Sequence, residues 1–147
     1  MKNILIPLEL NHTSIEDRII ATAISYSKEL KAKCWLIHVA SPDPEFIGTR
    51  TGPQYVRDQI AQELRKEHRQ IQTIAELFSE HKVDAEGLLI QGATQEMIEE
   101  EIQKLNIDLL ILGNKKQSFI DVLFRGSITD DLMSDVNIPI LLIPDNG

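Results

Sequence analysis

The sequence has very little cysteine. Cys34 is the single one, so no disulfide can form within the chain. It lies in the apolar stretch CWLIHV, where a small buried thiol is expected rather than a reactive one. His38 lies in the same stretch, and we expect it to be a buried imidazole with its hydrogen bonds satisfied.

Long hydrophobic runs and an excess of basic residues are also missing. No segment approaches the roughly 20 apolar residues of a membrane span, and the apolar run at the N-terminus stops at Glu9, too soon for a secretory signal. There are 15 Lys and Arg against 23 Asp and Glu, and apart from residues 113–127 no strongly segregated basic patch is visible. The sequence therefore predicts a cytoplasmic protein that binds neither nucleic acid nor membranes.

Apolar segments of two kinds alternate along the chain. Its 147 residues suit one domain, 1–147, with a single core. Short continuous apolar runs are typical of buried strands, and spacings of three and four residues are typical of helices. The pattern predicts strands at 2–8, 34–40, 86–91, 108–112 and 138–143, and helices at 13–32, 54–81, 94–105 and 127–136. This order favours an α/β fold with a doubly wound, open parallel five-stranded sheet and helices on both faces.

In such a sheet a ligand binds beyond the carboxyl ends of the strands, where the strand order reverses. The segment after the first strand, ELNHTS, has neither the glycine fingerprint of a dinucleotide fold nor the ending of a P-loop. A phosphoryl-accepting receiver would need an acidic pair there, and the chain has Glu9 alone. Those three classes are excluded.

The stretch GNKKQSFIDVLFRGS, residues 113–127, is the strongest candidate for binding chemistry. Gly113 allows a positive φ and a close approach of a ligand to the backbone, and Gly126 with Ser127 precedes a predicted helix whose N-terminus attracts anions. The segment carries a net charge of about +2, which suits an anion as well as a solvated loop. Ser127 can bind a phosphate or simply cap the helix together with Asp130, and both interpretations stay open.

The spacing of Gly113, Lys116 and Gly126–Ser127 resembles the glycine motif of the universal stress protein family, with lysine in place of the middle glycine. The stretches ILIPLE before this motif and GSITDDLMSDVNIPILLIP at its end are similar to the same family. The resemblance implies the strand order 3-2-1-4-5, with strands one and four adjacent. It also implies that adenosine lies between the loops after strands one and two, with phosphates along the glycine motif.

Carried over position by position, the resemblance implies a set of candidate nucleotide-binding residues. Glu9 stands where the family usually has aspartate, and its longer side chain can still accept a ribose hydroxyl. No catalytic residue and no metal ligand is assigned, and Mg²⁺ is expected only together with ATP. The candidates are Pro7, Glu9, Val39, Leu112, Gly113, Lys116, Gly126, Ser127 and Ile128.

Lys116 leaves three outcomes open. A lysine in the left-handed conformation costs about 1 kcal/mol or more, and its Cβ would crowd a phosphate held as in ATP-binding members. Its ammonium group can instead pair with the phosphate. The site therefore binds ATP weakly, binds another adenine nucleotide, or is closed by Lys116.

The resemblance favours a stress-response binding or signalling module over an enzyme. The last strand, 138–143, would form an apolar sheet edge, so a homodimer through this strand is expected. A slow ATPase or nucleotide-dependent phosphotransfer protein is the alternative, although only Asp121 is a candidate for its chemistry. A further alternative is an interaction protein that binds no nucleotide.

Overall fold

The computed structural model describes residues 2–10, 14–40, 54–92, 94–114 and 136–144. Residues 127–135 of the predicted last helix lie outside these ranges. The described strands are β1 (Asn3–Pro7), β2 (Lys33–Ala40), β3 (Ala85–Gln91), β4 (Leu109–Asn114) and β5 (Ile140–Pro144). The described helices are α1 (Ser14–Leu30), α2 (Gln54–Glu80) and α3 (Thr94–Lys104).

The strands form one parallel sheet in the order β3-β2-β1-β4-β5. This confirms the fold class and the strand order expected from the sequence. The chain runs from β1 outward to β2 and β3, and then returns to the other side of β1 for β4 and β5. The strand order therefore reverses between β1 and β4, and the carboxyl end of β1 lies at this point.

Apolar side chains cover both faces of the sheet, which explains the unbroken apolar runs of the central strands. On one face Ile4 and Ile6 of β1 belong to the cluster that includes residues of α1 and α2. On the other face Leu5 belongs to the cluster that includes Ile98 and Ile102 of α3. Helices therefore pack on both faces, as predicted.

A single carboxylate joins the amino ends of β1 and β4. Asp108 Oδ2 accepts hydrogen bonds from the backbone N–H groups of Lys2 at 2.7 Å and Asn3 at 2.9 Å. The Asp108 N–H in turn donates to the Asn3 carbonyl at 2.8 Å. The backbone hydrogen bonds from Lys2 and then Asn3 hold the pKa of Asp108 below its usual range, because they stabilise its charged form.

Two strand boundaries differ from the sequence prediction by two residues, and the other differences are of one residue. β4 continues to Asn114, two residues further than predicted, because Gly113 and Asn114 pair with Ile143 and Pro144 of β5. β5 begins at Ile140 instead of residue 138. Pro139 has no N–H, although its carbonyl still accepts a hydrogen bond from Leu110 at 3.0 Å.

The Cys34 thiol is fully buried and lies 2.6 Å from Ser27 Oγ. Burial raises its pKa to about 11, which keeps the thiol protonated at neutral pH. The prediction of a buried, unreactive cysteine is confirmed by this environment.

Among the helices of the described ranges, none is long and apolar enough to span a membrane.

Candidate functional site

The pairing between β1 and β4 ends before the strands do. Its register joins Ile4 with Leu109 and Leu5 with Leu110, so within the described residues it stops two residues before the end of β1. On the other side, β1 stays paired with β2 up to Pro7 and Ile37. The carboxyl ends of β1 and β4 therefore flank the reversal of the strand order, which is where open α/β sheets have their ligand-binding crevice.

Pro7 explains why the pairing with β4 stops there. Successive residues of a strand turn their backbone groups to opposite neighbours: the Asn3 carbonyl faces β4, and the Leu8 N–H donates to Ile37 of β2 at 2.8 Å. Pro7 lies four residues after Asn3, so its backbone groups face β4 as those of Asn3 do. The N–H that proline lacks is therefore one that would face β4. The missing donor falls where the pairing with β4 has ended.

Three of the apolar candidate residues lie on one face of the sheet near the carboxyl ends of adjacent strands. Val39 and Leu112 are buried in the cluster that contains Leu5, and alternation along β1 places Pro7 on the same face as Leu5. Together they provide an apolar surface on neighbouring strands, of the kind against which a planar aromatic ring can pack.

The segment after β1, Leu8–Glu9–Leu10, is held on both sides of Glu9. The Leu8 carbonyl lies 2.8 Å from Nδ1 of His38, and because a carbonyl can only accept, Nδ1 carries the hydrogen. The Leu10 N–H donates to Glu16 Oε1 at 2.7 Å. Half-buried Glu9 therefore projects from a backbone that is fixed immediately before and after it.

Leu10 has a left-handed backbone conformation, with φ of 61°. A non-glycine residue pays about 1–2 kcal/mol for this conformation, so surrounding contacts must maintain it. The buried carboxylate of Glu16 supplies one such contact, since it reaches back from the first turn of α1 to the Leu10 amide. No local sequence pattern marks this contact, since the reciprocal bond of a capping box spans three residues and this one spans six.

Gly113 meets a packing requirement that the sequence did not suggest. It lies inside β4 and is not among the described glycines with positive φ. A Cβ on Gly113 would lie 2.8 Å from Ile19 Cδ1 and 3.1 Å from Ile15 Cδ1. The close approach that requires glycine is therefore made by α1, on the face opposite Val39 and Leu112.

His38 satisfies the expectation of a hydrogen-bonded, largely buried imidazole and has a second contact that the sequence did not suggest. Its Nε2 lies 3.4 Å from Oε2 of Glu67 on α2, and their side chains are 13% and 27% exposed. The two residues are distant in sequence, and no local pattern links them.

The structure thus describes five of the nine predicted site residues. Pro7, Val39 and Leu112 share one face, Glu9 follows β1, and Gly113 faces α1. The remaining candidates lie outside the described residues: Lys116, Gly126, Ser127 and Ile128.

Comparison with known proteins agrees with this architecture. The model of the universal stress protein family matches residues 1–144. A universal stress protein of Methanocaldococcus jannaschii is 24% identical over 144 residues, which cover 97% of this chain and 81% of the relative.

Two solved structures share the fold and were determined with a nucleotide. The universal stress protein of Archaeoglobus fulgidus in complex with dAMP has a TM-score of 0.64 and 11% identity, covering 97% of this chain and 98% of the other. A universal stress protein family member of Arabidopsis thaliana with AMP bound has a TM-score of 0.62 and 17% identity, covering 100% of this chain and 93% of the other.

Proposed function

The chain belongs to the universal stress protein family, and we propose that it is a binding module for an adenine nucleotide, held at the carboxyl ends of β1 and β4. The reversal of the strand order between β1 and β4 is the observation that carries this proposal, because open α/β sheets bind ligands there. The dAMP and AMP complexes of the two structural neighbours support the choice of an adenine nucleotide.

The described residues suit the nucleoside part of such a ligand. The adenine ring packs near the apolar surface of Pro7, Val39 and Leu112, and Glu9 accepts hydrogen bonds from the ribose hydroxyls. Because the backbone on both sides of Glu9 is already fixed, little conformational entropy is lost when the sugar binds.

The phosphates are assigned in this proposal to the segment that begins after Gly113. Lys116 pairs with a phosphate through its ammonium group. Gly126, Ser127 and Ile128 stand at the start of the helix that the sequence predicts at 127–136, where backbone amides attract anions. A monophosphate needs less room beside the Lys116 side chain than a triphosphate does. Mg²⁺ enters only together with ATP, as a counter-ion of its phosphates.

Calorimetric titration with AMP, ADP and ATP tests the proposal. We expect saturable binding of at least one of them, and about tenfold weaker binding by Glu9→Gln, since a charged acceptor contributes more to a hydrogen bond than a neutral amide. Glu29→Gln, at an exposed position of α1, is the matched control and should bind as the wild type does. The absence of heat for all three nucleotides at millimolar concentration would refute the proposal.

We further propose that the protein forms a cytoplasmic homodimer through β5. This strand lies at the edge of the sheet and pairs with β4 alone among the described strands. Its Leu142 side chain is 41% exposed, which leaves apolar surface beside an edge that can pair with a second copy.

A further inference from the structure

His38 joins three elements near the proposed site. It lies on β2, its Nδ1 donates to the Leu8 carbonyl just after β1, and its Nε2 faces Oε2 of Glu67 on α2 at 3.4 Å. That Glu67 oxygen is buried and has no hydrogen-bond partner among the described residues. The imidazole therefore lies between two acceptors, one of which is short of a donor.

The number of hydrogens on the ring decides whether both acceptors can be satisfied. A protonated imidazole carries two N–H groups, so it can donate to Leu8 and to Glu67 at the same time. A neutral imidazole carries one hydrogen for two acceptors. The charged carboxylate of Glu67 is the stronger acceptor, so it competes with the Leu8 carbonyl for that hydrogen.

We propose that His38 is a pH-sensitive positioning residue that holds the Glu9 segment in place when it is protonated and releases the Leu8 carbonyl when it is neutral. The effect of this switch on ligand affinity rests on the proposed function. Binding of an adenine nucleotide then weakens as the pH rises.

The groups that face His38 support Glu67 as its charged partner. From α2 it faces the carboxylate of Glu67, and from β1 it faces the uncharged Leu8 carbonyl. On β3 its register partner is Leu89, which does not titrate. Glu67 is thus the charged group with which the structure pairs this ring.

Glu67→Gln separates the proposed switch from a merely structural contact. The amide of glutamine can donate to an unprotonated Nε2, which leaves the Nδ1 hydrogen on the Leu8 carbonyl at every pH. We therefore expect wild-type affinity for AMP to fall about fivefold more than that of Glu67→Gln between pH 5.5 and 8.5, as for the loss of one hydrogen bond (~1 kcal/mol). The ionisation of AMP itself is common to both proteins and cancels in this comparison.

Glu63→Gln, an exposed position one turn earlier on α2, is the matched control and should keep the wild-type pH profile. Identical profiles for wild type and Glu67→Gln would overturn the proposal.

The ¹⁵N and ¹H shifts of the Glu9 amide, which shares a peptide unit with the Leu8 carbonyl, give a readout without ligand. They should titrate in wild type and Glu63→Gln and stay flat in Glu67→Gln. If neither the wild type nor the variants bind AMP, the proposed function fails, and the switch is judged from these shifts alone. A Glu9 amide whose shifts do not change with pH in the wild type then overturns the switch.

Discussion

At the residue scale, Gly113 has a packing role in the fold that its place in a family motif does not indicate. Its missing Cβ makes room for the Cδ1 atoms of Ile15 and Ile19, which lets α1 lie close to β4. Both atoms are the ends of flexible side chains, so a methyl group at residue 113 can be accommodated at a modest cost.

We expect Gly113→Ala to lower the free energy of unfolding by about 1 kcal/mol, because the added Cβ forces the Ile19 side chain to move. Ile19→Val removes the crowded Cδ1 atom and by itself costs about 0.5–1.5 kcal/mol. Urea unfolding of the double variant should show a total loss of stability that is smaller than the sum of the losses in the two single variants. Additive losses would show that Ile19 is not what Gly113 accommodates.

The sequence could not reveal several of these residue roles. Pro7 lies within the strand predicted at 2–8, but which neighbour its missing N–H faces depends on the pairing register. The contact between His38 and Glu67 depends on how α2 lies across the sheet, and neither residue carries a local signal for it. The Leu10 conformation likewise follows from a tertiary hydrogen bond to Glu16.

At the element scale, strand and helix identities followed from hydrophobic periodicity, whereas the strand ends did not. β4 reads as ending at Leu112 because the apolar run stops there, yet Gly113 and Asn114 remain in the sheet through backbone pairing with β5. Backbone hydrogen bonds do not require apolar side chains, so composition alone misplaces such a boundary.

Asp108 ties β1 to β4 at their amino ends, and this link should depend on pH. Its pKa is lowered in the native state by the Lys2 and Asn3 amides, so its stabilisation is complete above the unfolded-state value of about 3.9 and is lost as the pH falls through the native value. We expect Asp108→Asn to be less stable than wild type at pH 7 by about 1 kcal/mol. In urea unfolding the difference should shrink below about pH 4.

Glu100→Gln, an exposed position of α3, serves as the control and should follow the wild-type stability at both pH values. A stability gap between wild type and Asp108→Asn that stays constant down to pH 3 would contradict the role assigned to the carboxylate.

At the scale of the whole molecule, the fold and the location of the crevice were both accessible from the sequence. Five alternating strands predict a parallel sheet, the family resemblance supplies the order 3-2-1-4-5, and that order fixes where the crevice must lie. The site is less complete than the fold, since Lys116 and the Gly126–Ser127 pair lie outside the described residues.

The proposed dimer also belongs to this scale. Leu141 packs against the core that includes α1, whereas Leu142, on the other face of β5, is 41% exposed. We therefore expect Leu142→Lys to give a monomer by light scattering, because it places a charge in the proposed interface without disturbing the core. Asn137→Lys, at an exposed position before β5, should leave the assembly unchanged. A Leu142→Lys protein of wild-type mass would place any interface elsewhere.

A crystal structure of the protein grown with AMP tests the central claim most directly. We predict electron density for the adenine ring beside Pro7, Val39 and Leu112, with the ribose hydroxyls within hydrogen-bond distance of the Glu9 carboxylate. AMP bound away from the carboxyl ends of β1 and β4, or a crevice that stays empty at saturating AMP, would contradict the proposed site.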